Sequence, residues 1–384
     1  MKVALVHDYL NEFGGAERVL LALSEIFPKA PIYTAFYRED SEAYRRFRGK
    51  EIIASWAQKV PFFKTKLHSP LRFLAPFIWN SFARQLADFD VVITSSSWYV
   101  TKGVVKRKTT SDKRKTVEIC YCHTPPRYLY GYPTSVEWQK YWPVRIYALL
   151  VNHFMRVYDY EAAQRVDYFI ANSKEVNARI KKFYRRNSTV IYPPVELDRD
   201  QLPETSKKKS DSYFLVVSRI VGGKGLQLAV EAANKLGFPL KVVGKATGYG
   251  AEDKKIKEMA GENVEFLGYV SDSELVGLYT NARAFLALAT DEDFGITPVE
   301  AMLCGTPVIA YDGGGYKETV IQGKTGLFFD PATIGSLTLA INTFFDMEKK
   351  GAFDPKFIKS HAQKFSSERF KKEIKTFVKL HVLA

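Results

Sequence analysis

The chain has 384 residues, 46% of them hydrophobic and 26% charged, which suits two or three soluble domains and excludes global disorder, collagen and coiled coil. Three cysteines cannot build a disulfide framework, which points to a reducing compartment rather than secretion. Lys and Arg number 56 against 42 Asp and Glu, a net +14, and that imbalance suggests nucleic acid, an anionic membrane surface or a phosphorylated ligand.

The first residues, Met1 to Asp8, read as a buried strand; their apolar run is too short for a signal peptide. Strands are expected at Val3–Val6, Ile32–Ala35, Val91–Thr94 and Val117–Tyr121. A long helix follows near Pro143–Ala163, then a strand at Tyr168–Ala171, a helix after Asn172-Ser173, and a strand at Val190–Tyr192. The polar, Lys-rich stretch Asp198–Ser212 reads as a linker or surface loop. The pattern then restarts with strands at Tyr213–Ser218, Leu240–Val243, Val264–Leu267, Ala284–Leu288 and Val308–Ala310, and ends in a helix near Ser366–Leu383. Alternating strands and helices predict α/β domains with parallel sheets. The expected division is residues 1–195, residues 196–363, and a last helix over 364–384. No run of about 18 apolar residues predicts a spanning helix. The nearest, Leu71–Trp79 and Ile146–Val151, are short and flanked by charge.

The two halves echo each other. Strand one ends in His7-Asp8 and runs through Gly14-Gly15 into a helix. Tyr213–Ser218 ends in Arg219 and runs through Gly222-Gly223 and Gly225 into another. Ligands of open α/β sheets bind at the carboxyl ends of strands, so two such domains facing each other predict a cleft. A tight turn explains each glycine pair about as well.

The segment Glu292-Asp293-Phe294-Gly295-Ile296-Thr297-Pro298-Val299-Glu300 follows a buried strand. Thr297 suits an N-cap, Pro298 the first helical position, and Glu300 completes a capping box. Gly305 and Pro307 stop the helix. Glu292, Asp293 and Gly295 crowd its start, where free N–H groups attract anions and a glycine admits close approach. Carboxylates repel a bare phosphate, so they suit sugar hydroxyls beside one. The bland alternatives are a solvated acid at Glu292 and a helix cap at Glu300.

Arg219 and Lys224 sit at a strand end and in its glycine loop, where a guanidinium fork and an ammonium can converge on a diphosphate; two surface cations near a turn is the alternative. The spacing fits neither a P-loop nor Gly-x-Gly-x-x-Gly. In Cys120-Tyr121-Cys122-His123-Thr124-Pro125-Pro126-Arg127 the cysteines read as small buried strand residues rather than metal ligands. His123 then emerges at the strand's carboxyl end, as an active-site group or a structural histidine.

In their ordered arrangement these segments resemble the retaining glycosyltransferases of family 4, with the GT-B fold of two facing Rossmann-like domains. The resemblance rests on Glu292 and Glu300 as an E-x7-E pair, Gly14-Gly15-Ala16-Glu17-Arg18, His123-Thr124-Pro125-Pro126-Arg127 and Ala171-Asn172-Ser173. It extends to Tyr192-Pro193-Pro194, Ser218-Arg219 with Lys224-Gly225, Cys304-Gly305-Thr306-Pro307-Val308, and Gly313-Gly314-Gly315 with Glu318-Thr319. The form Glu-Asp-Phe-Gly-Ile-Thr-Pro-Val-Glu is most similar to the mannosyltransferase branch of bacterial O-antigen and exopolysaccharide (lipopolysaccharide) synthesis.

The resemblance implies that Arg219 and Lys224 bind the donor diphosphate, Glu300 the ribose and Glu292 the sugar hydroxyls. Backbone N–H groups of Phe294, Gly295, Ile296 and Thr297 would hold phosphate and sugar. Gly14 and Gly15 would lie over the diphosphate, His123 near the reacting sugar, and the base near Gly268-Tyr269-Val270, ahead of the Ser271 helix cap. The last helix would return to the first domain. Val243-Gly244-Lys245-Ala246-Thr247 departs from the family's usual Gly-x-Gly with an acid, which leaves donor contacts there open.

The implied activity is transfer of a hexose, best read as mannose from GDP-mannose, to a glycan or polyprenyl-diphosphate-linked acceptor, with no metal and no cofactor. A UDP-sugar is the second donor reading. A GT-B epimerase, phosphorylase or silent sugar-nucleotide binder is the nearest rival. A nucleic-acid binder lacks a module, and a nicotinamide oxidoreductase lacks its fingerprint. Between Glu51 and Tyr160, 16 Lys and Arg face 7 Asp and Glu. That segment holds Trp56, Phe62, Phe63, Phe73, Phe77 and Trp79 among Lys64, Lys66 and Arg72, followed by the basic runs Lys106-Arg107-Lys108 and Lys113-Arg114-Lys115. This mixture predicts docking on an anionic membrane from the cytoplasmic side; core aromatics with a solvated basic face is the alternative.

Overall fold

The short β-branched and aromatic runs form strands because most are buried on both faces of a parallel sheet, where polar alternation is not needed. A computed structural model describes residues 1–105, 116–134, 141–197, 213–220, 223–245 and 252–382. The linker expected at Asp198–Ser212, both basic runs, Gly222, Ala246-Thr247 and Leu383 lie outside the described residues. The chain divides into two units. The first is Met1–Tyr132, Gln139–Pro194 and Ser367–Ala384; the second is Pro133–Trp138 and Val195–Ser366.

The first unit carries β1 (Val3–His7), β2 (Ile32–Thr34), β3 (Ile52–Ala54), β4 (Val91–Ser96), β5 (Val117–Cys122), β6 (Tyr168–Ala171) and β7 (Thr189–Val190). They form a parallel sheet in the order β3-β2-β1-β4-β5-β6-β7. Successive strand residues feed opposite layers, as the pleat requires. Val3 and Leu5 pack with Val19, Leu20 and Leu23 of the helix Gly15–Ile26 and with Phe370, Ile374 and Phe377 of the last helix, Ser367–Val382. Ala4 and Val6 pack in the other layer with Phe36, Phe63, Ile78 and Trp79. Phe63 and Trp79 are therefore core residues, not members of an outward aromatic surface.

The second unit carries β8 (Phe214–Val217), β9 (Leu240–Val243), β10 (Val264–Gly268), β11 (Ala284–Ala287), β12 (Val308–Tyr311) and β13 (Gly326–Phe329). Its parallel order is β10-β9-β8-β11-β12-β13. The fold is α/β, with two Rossmann-like parallel-sheet domains. Strands β3 and β13 were not expected from the sequence. Both are short edge strands, β3 (Ile-Ile-Ala) half-buried and β13 (Gly-Leu-Phe-Phe) mostly buried, and a short apolar run does not by itself tell a strand from a buried helical turn.

In both sheets the strand order reverses beside the first strand of the unit, at β1/β4 and at β8/β11. Loops leaving two adjacent strands part there, which opens a crevice at their carboxyl ends.

Candidate active site

In the second unit, the loops after β8 and β11 meet at that reversal. Lys224 donates from Nζ to Glu292 Oε2 at 2.8 Å, and both side chains are half-buried. Arg219 leaves the end of β8 with its side chain exposed. Gly225 takes φ 70° and starts the helix Leu226–Leu236. A Cβ on it would lie 2.6 Å from the Leu288 carbonyl oxygen, so only glycine lets this loop press against the end of β11.

The loop after β11 enters the helix Ile296–Leu303 through Gly295, which is the N-cap at φ 87°. The expectation of Thr297 as N-cap and Pro298 as first residue is corrected: the helix starts at Ile296, and the Thr297–Glu300 capping box does not form. The left-handed turn at Gly295 makes a hydroxyl cap unnecessary, and Pro298 falls within the first turn, where a missing N–H costs nothing. The helix start has no side-chain cap, so its first N–H groups keep their directional pull on an anion.

Glu300 is released from capping and is buried one turn further on, where it accepts a 2.8 Å hydrogen bond from the Tyr279 hydroxyl. Gly315 N–H donates to the Glu292 carbonyl at 2.9 Å, and a Cβ on Gly314 would clash with that carbonyl at 2.3 Å. The triple glycine thus lets the loop after β12 pin Glu292 from behind. At the edge of the sheet, Tyr269 is exposed ahead of Val270 and Ser271. Ser271 does cap the next helix, with Glu274 completing a capping box. Lys245 reaches over the Tyr269 ring at 4.8 Å. An ammonium above an aromatic face is a favourable contact, and it ties the departing Gly244-Lys245 segment to the Tyr269 loop.

In the first unit, Gly14 is the N-cap of Gly15–Ile26. Glu17 accepts the Gly14 N–H at 2.8 Å with Oε2, while Oε1 approaches His7 Nε2 at 3.4 Å. His7 Nδ1 lies 3.0 Å from Ser95 Oγ, and Ser95 Oγ lies 2.8 Å from His123 Nε2. A hydrogen-bonded chain therefore runs from the glycine loop to His123. Burial, with His7 as a neighbour, pushes the His123 imidazole down to about 3. Asp8 accepts N–H groups of Ser97, Trp98 and Tyr99 at 2.6 to 3.2 Å, and the Thr101 hydroxyl, which holds the loop after β4.

Each unit thus gathers its own set: Arg219, Lys224, Tyr269, Val270, Glu292, Phe294–Thr297 and Glu300 in the second, Gly14, Gly15 and His123 in the first. Sequence reasoning gave no role to Glu17 or Asp8 and did not find Ser95 and Tyr279. His7-Asp8 at the end of β1 was the available signal for the first-unit chain.

Residues 13–199 match the family described as Glycosyltransferase Family 4, and residues 198–359 match Glycosyl transferases group 1. The chain carries both glycosyltransferase domains. Together the two matches take in the candidate site residues from Gly14 to Glu300, with His7 and Asp8 lying ahead of them.

The α-1,3/1,6-mannosyltransferase ALG2 of Dictyostelium discoideum is 25% identical over 309 residues, 67% of this chain and 69% of the relative. The D-inositol 3-phosphate glycosyltransferase of Mycolicibacterium smegmatis is 31% identical over 178 residues, 43% of this chain and 41% of the relative. An uncharacterized glycosyltransferase of Methanocaldococcus jannaschii is matched over 46% of its length, so the chain spans less than half of several relatives. Among solved structures, HepE of Anabaena in complex with UDP and glucose superposes with a TM-score of 0.73 at 20% identity, covering 98% of this chain and 99% of that one. The lipopolysaccharide outer core galactosyltransferase WaaB superposes at 0.68 and 17% identity, covering 98% and 99%. These likenesses show the GT-B fold.

Proposed function

We propose that this glycosyltransferase moves a hexose, with retention, from a nucleotide sugar to a glycan or polyprenyl-diphosphate-linked acceptor in cell-surface polysaccharide synthesis. The donor is GDP-mannose. The work is done on the inner face of the cell membrane, without metal or cofactor.

The observation that carries the reading is the Lys224–Glu292 pair at the β8/β11 reversal, beside a helix start with no side-chain cap. A donor diphosphate offers Lys224 a stronger anion than one carboxylate. Lys224 turns to it, Arg219 joins, and Glu292 is released to accept hydroxyls of the sugar. Buried Glu300 accepts from the ribose. The bond from sugar C1 to the diphosphate oxygen breaks, and fixed cations and helix N–H groups take up the charge that develops. The acceptor oxygen bonds to C1 on the same face, and its proton passes to the leaving phosphate. His123, held neutral by burial, offers the sugar a polar edge without adding charge.

Mannose is supported by the names of two ALG2 relatives, from Dictyostelium discoideum and Schizosaccharomyces pombe. A UDP-sugar is the second reading, favoured by the HepE complexes with UDP and with UDP-glucose. A thermal-shift panel of GDP, UDP, ADP and their sugars tests the donor. Stabilisation by GDP and GDP-mannose above the others is expected; a larger shift with UDP would overturn the GDP reading.

A further inference from the structure

The helix Trp142–Arg165 has its polarity inverted. The residues it buries are Ala148, Asn152, Met155, Asp159, Ala162 and Ala163, small or polar except for one methionine. Asp159 is neutralised inside by Lys102 and accepts from the Tyr130 hydroxyl at 2.7 Å. The large apolar side chains face out: Trp142 is 70% exposed, Leu149 71% and Phe154 71%, with Ile146, Leu150 and Val157 beside them. Their spacing of three and four residues makes one stripe, about 24 Å long over sixteen residues. An ordinary surface helix shows the opposite arrangement.

A second segment is fixed to this helix. Arg72 donates to Asn152 Oδ1 at 2.9 Å and lies over the Tyr147 ring at 5.1 Å, and the Tyr147 hydroxyl bonds the Pro70 carbonyl. Around it, Phe73 and Phe77 are exposed. Phe62 is exposed as well, and it stands at φ 60°, a costly conformation for an aromatic residue.

Charge selects the occupant. Neither residues 56–82 nor residues 141–158 contain an Asp or Glu, whereas they hold Lys59, Lys64, Lys66, Arg72, Arg145 and Arg156. A second copy of this chain would set cation against cation. An anionic bilayer offers both an apolar layer and negative headgroups. Among the described residues no helix is long and apolar enough to cross a membrane.

We propose that the stripe Trp142–Val157, with Phe62, Phe73 and Phe77, docks on an anionic lipid bilayer and lies in the plane of the headgroup boundary. The docking stands on this surface alone, whatever the sugar donor is.

Sedimentation of the full chain with vesicles tests it, using phosphatidylcholine alone or with a third of the lipid replaced by phosphatidylglycerol. The wild type is expected to pellet with the anionic vesicles and to stay in solution with the neutral ones. A triple variant, Leu149→Gln, Leu150→Gln and Phe154→Gln, is expected to lose at least ~10-fold in partition while its melting temperature holds, because these side chains are mostly exposed. Arg145→Glu with Arg156→Glu removes the preference for anionic lipid. Equal pelleting with both vesicles, pelleting with neither, or full retention by the folded triple variant overturns the proposal. So does a wild-type dimer in light scattering that the triple variant dissolves, which would make the occupant a second copy.

Discussion

Lys224 and Glu292 neutralise each other at 2.8 Å, which defines what each substitution exposes. Lys224→Ala takes a charged hydrogen bond from the diphosphate and is expected to weaken GDP binding by about 10-fold or more, read by calorimetry. Glu292→Gln keeps the shape and removes the charge, so turnover falls further than donor affinity does. Both residues were legible in the sequence, because they sit next to strand ends with the glycines that expose them. The chain Glu17–His7–Ser95–His123 was not legible. Its members come from two strands, the residue after a third and a helix, and the parallel register that sets His7 beside Ser95 helps bring them together. His123 also carries a pH signature. Its folded pKa, about 3, lies below its unfolded value, so the unfolded chain binds the extra proton. Stability from this group is present above pH 6.5 and is lost as pH falls toward 3. In urea unfolding at pH 7 and pH 5, His123→Asn is expected to remove a share of that slope, at most about 1.4 kcal/mol per pH unit. An unchanged slope would contradict the burial of a neutral imidazole.

At the scale of elements, glycines decide how the loops reach the site. Gly295→Ala would put a Cβ 2.8 Å from the Tyr316 ring at φ 87°, and is expected to cost about 1–3 kcal/mol in thermal unfolding and to weaken donor binding. The same substitution at Gly335, where a Cβ would meet nothing closer than 4.0 Å, serves as the neutral comparison. The sequence marked Gly295 as important but placed the helix start two residues late. Thr297, Pro298 and Glu300 satisfy the local rules for a cap so well that the left-handed option at Gly295 was passed over. Most strands that match the sequence reading are apolar runs buried between two layers, and the half-buried edge strand β10 matches as well. Strands β3 (Ile-Ile-Ala) and β13 (Gly-Leu-Phe-Phe) were not expected, because short apolar runs do not by themselves tell a strand from a buried helical turn. The long helix Trp142–Arg165 was read from its apolar content, yet that content faces outward and its buried line is Asn, Asp, Met and Ala. Periodicity gives the helix but not which side the sheet takes.

At the scale of the molecule, the last helix joins distant parts of the chain into the first unit. Phe370, Ile374, Phe377 and Val378 are buried with β1 and the helix Gly15–Ile26, and Arg369 donates to the Tyr192 carbonyl at 2.9 Å. Removing residues 367–384 strips four apolar side chains from that core, each worth about 1.5–3 kcal/mol, which together is comparable to the whole stability of an ordinary domain. Limited proteolysis of the truncated chain is expected to digest the first unit; a protease-resistant first unit would contradict this packing. The net +14 of the whole chain divides along the same lines. In the proposed reading, Arg219 and Lys224 serve a diphosphate in one unit, and the carboxylate-free segments serve a lipid surface in the other. The proposed function itself depends on the chain consuming a nucleotide sugar, and release of nucleoside diphosphate tests that most directly. Wild-type protein given GDP-mannose with a lipid-linked acceptor is predicted to release GDP, and Glu292→Ala to release it at least ~100-fold more slowly. No diphosphate released from any nucleotide sugar, or an equal rate in the folded variant, would contradict the account.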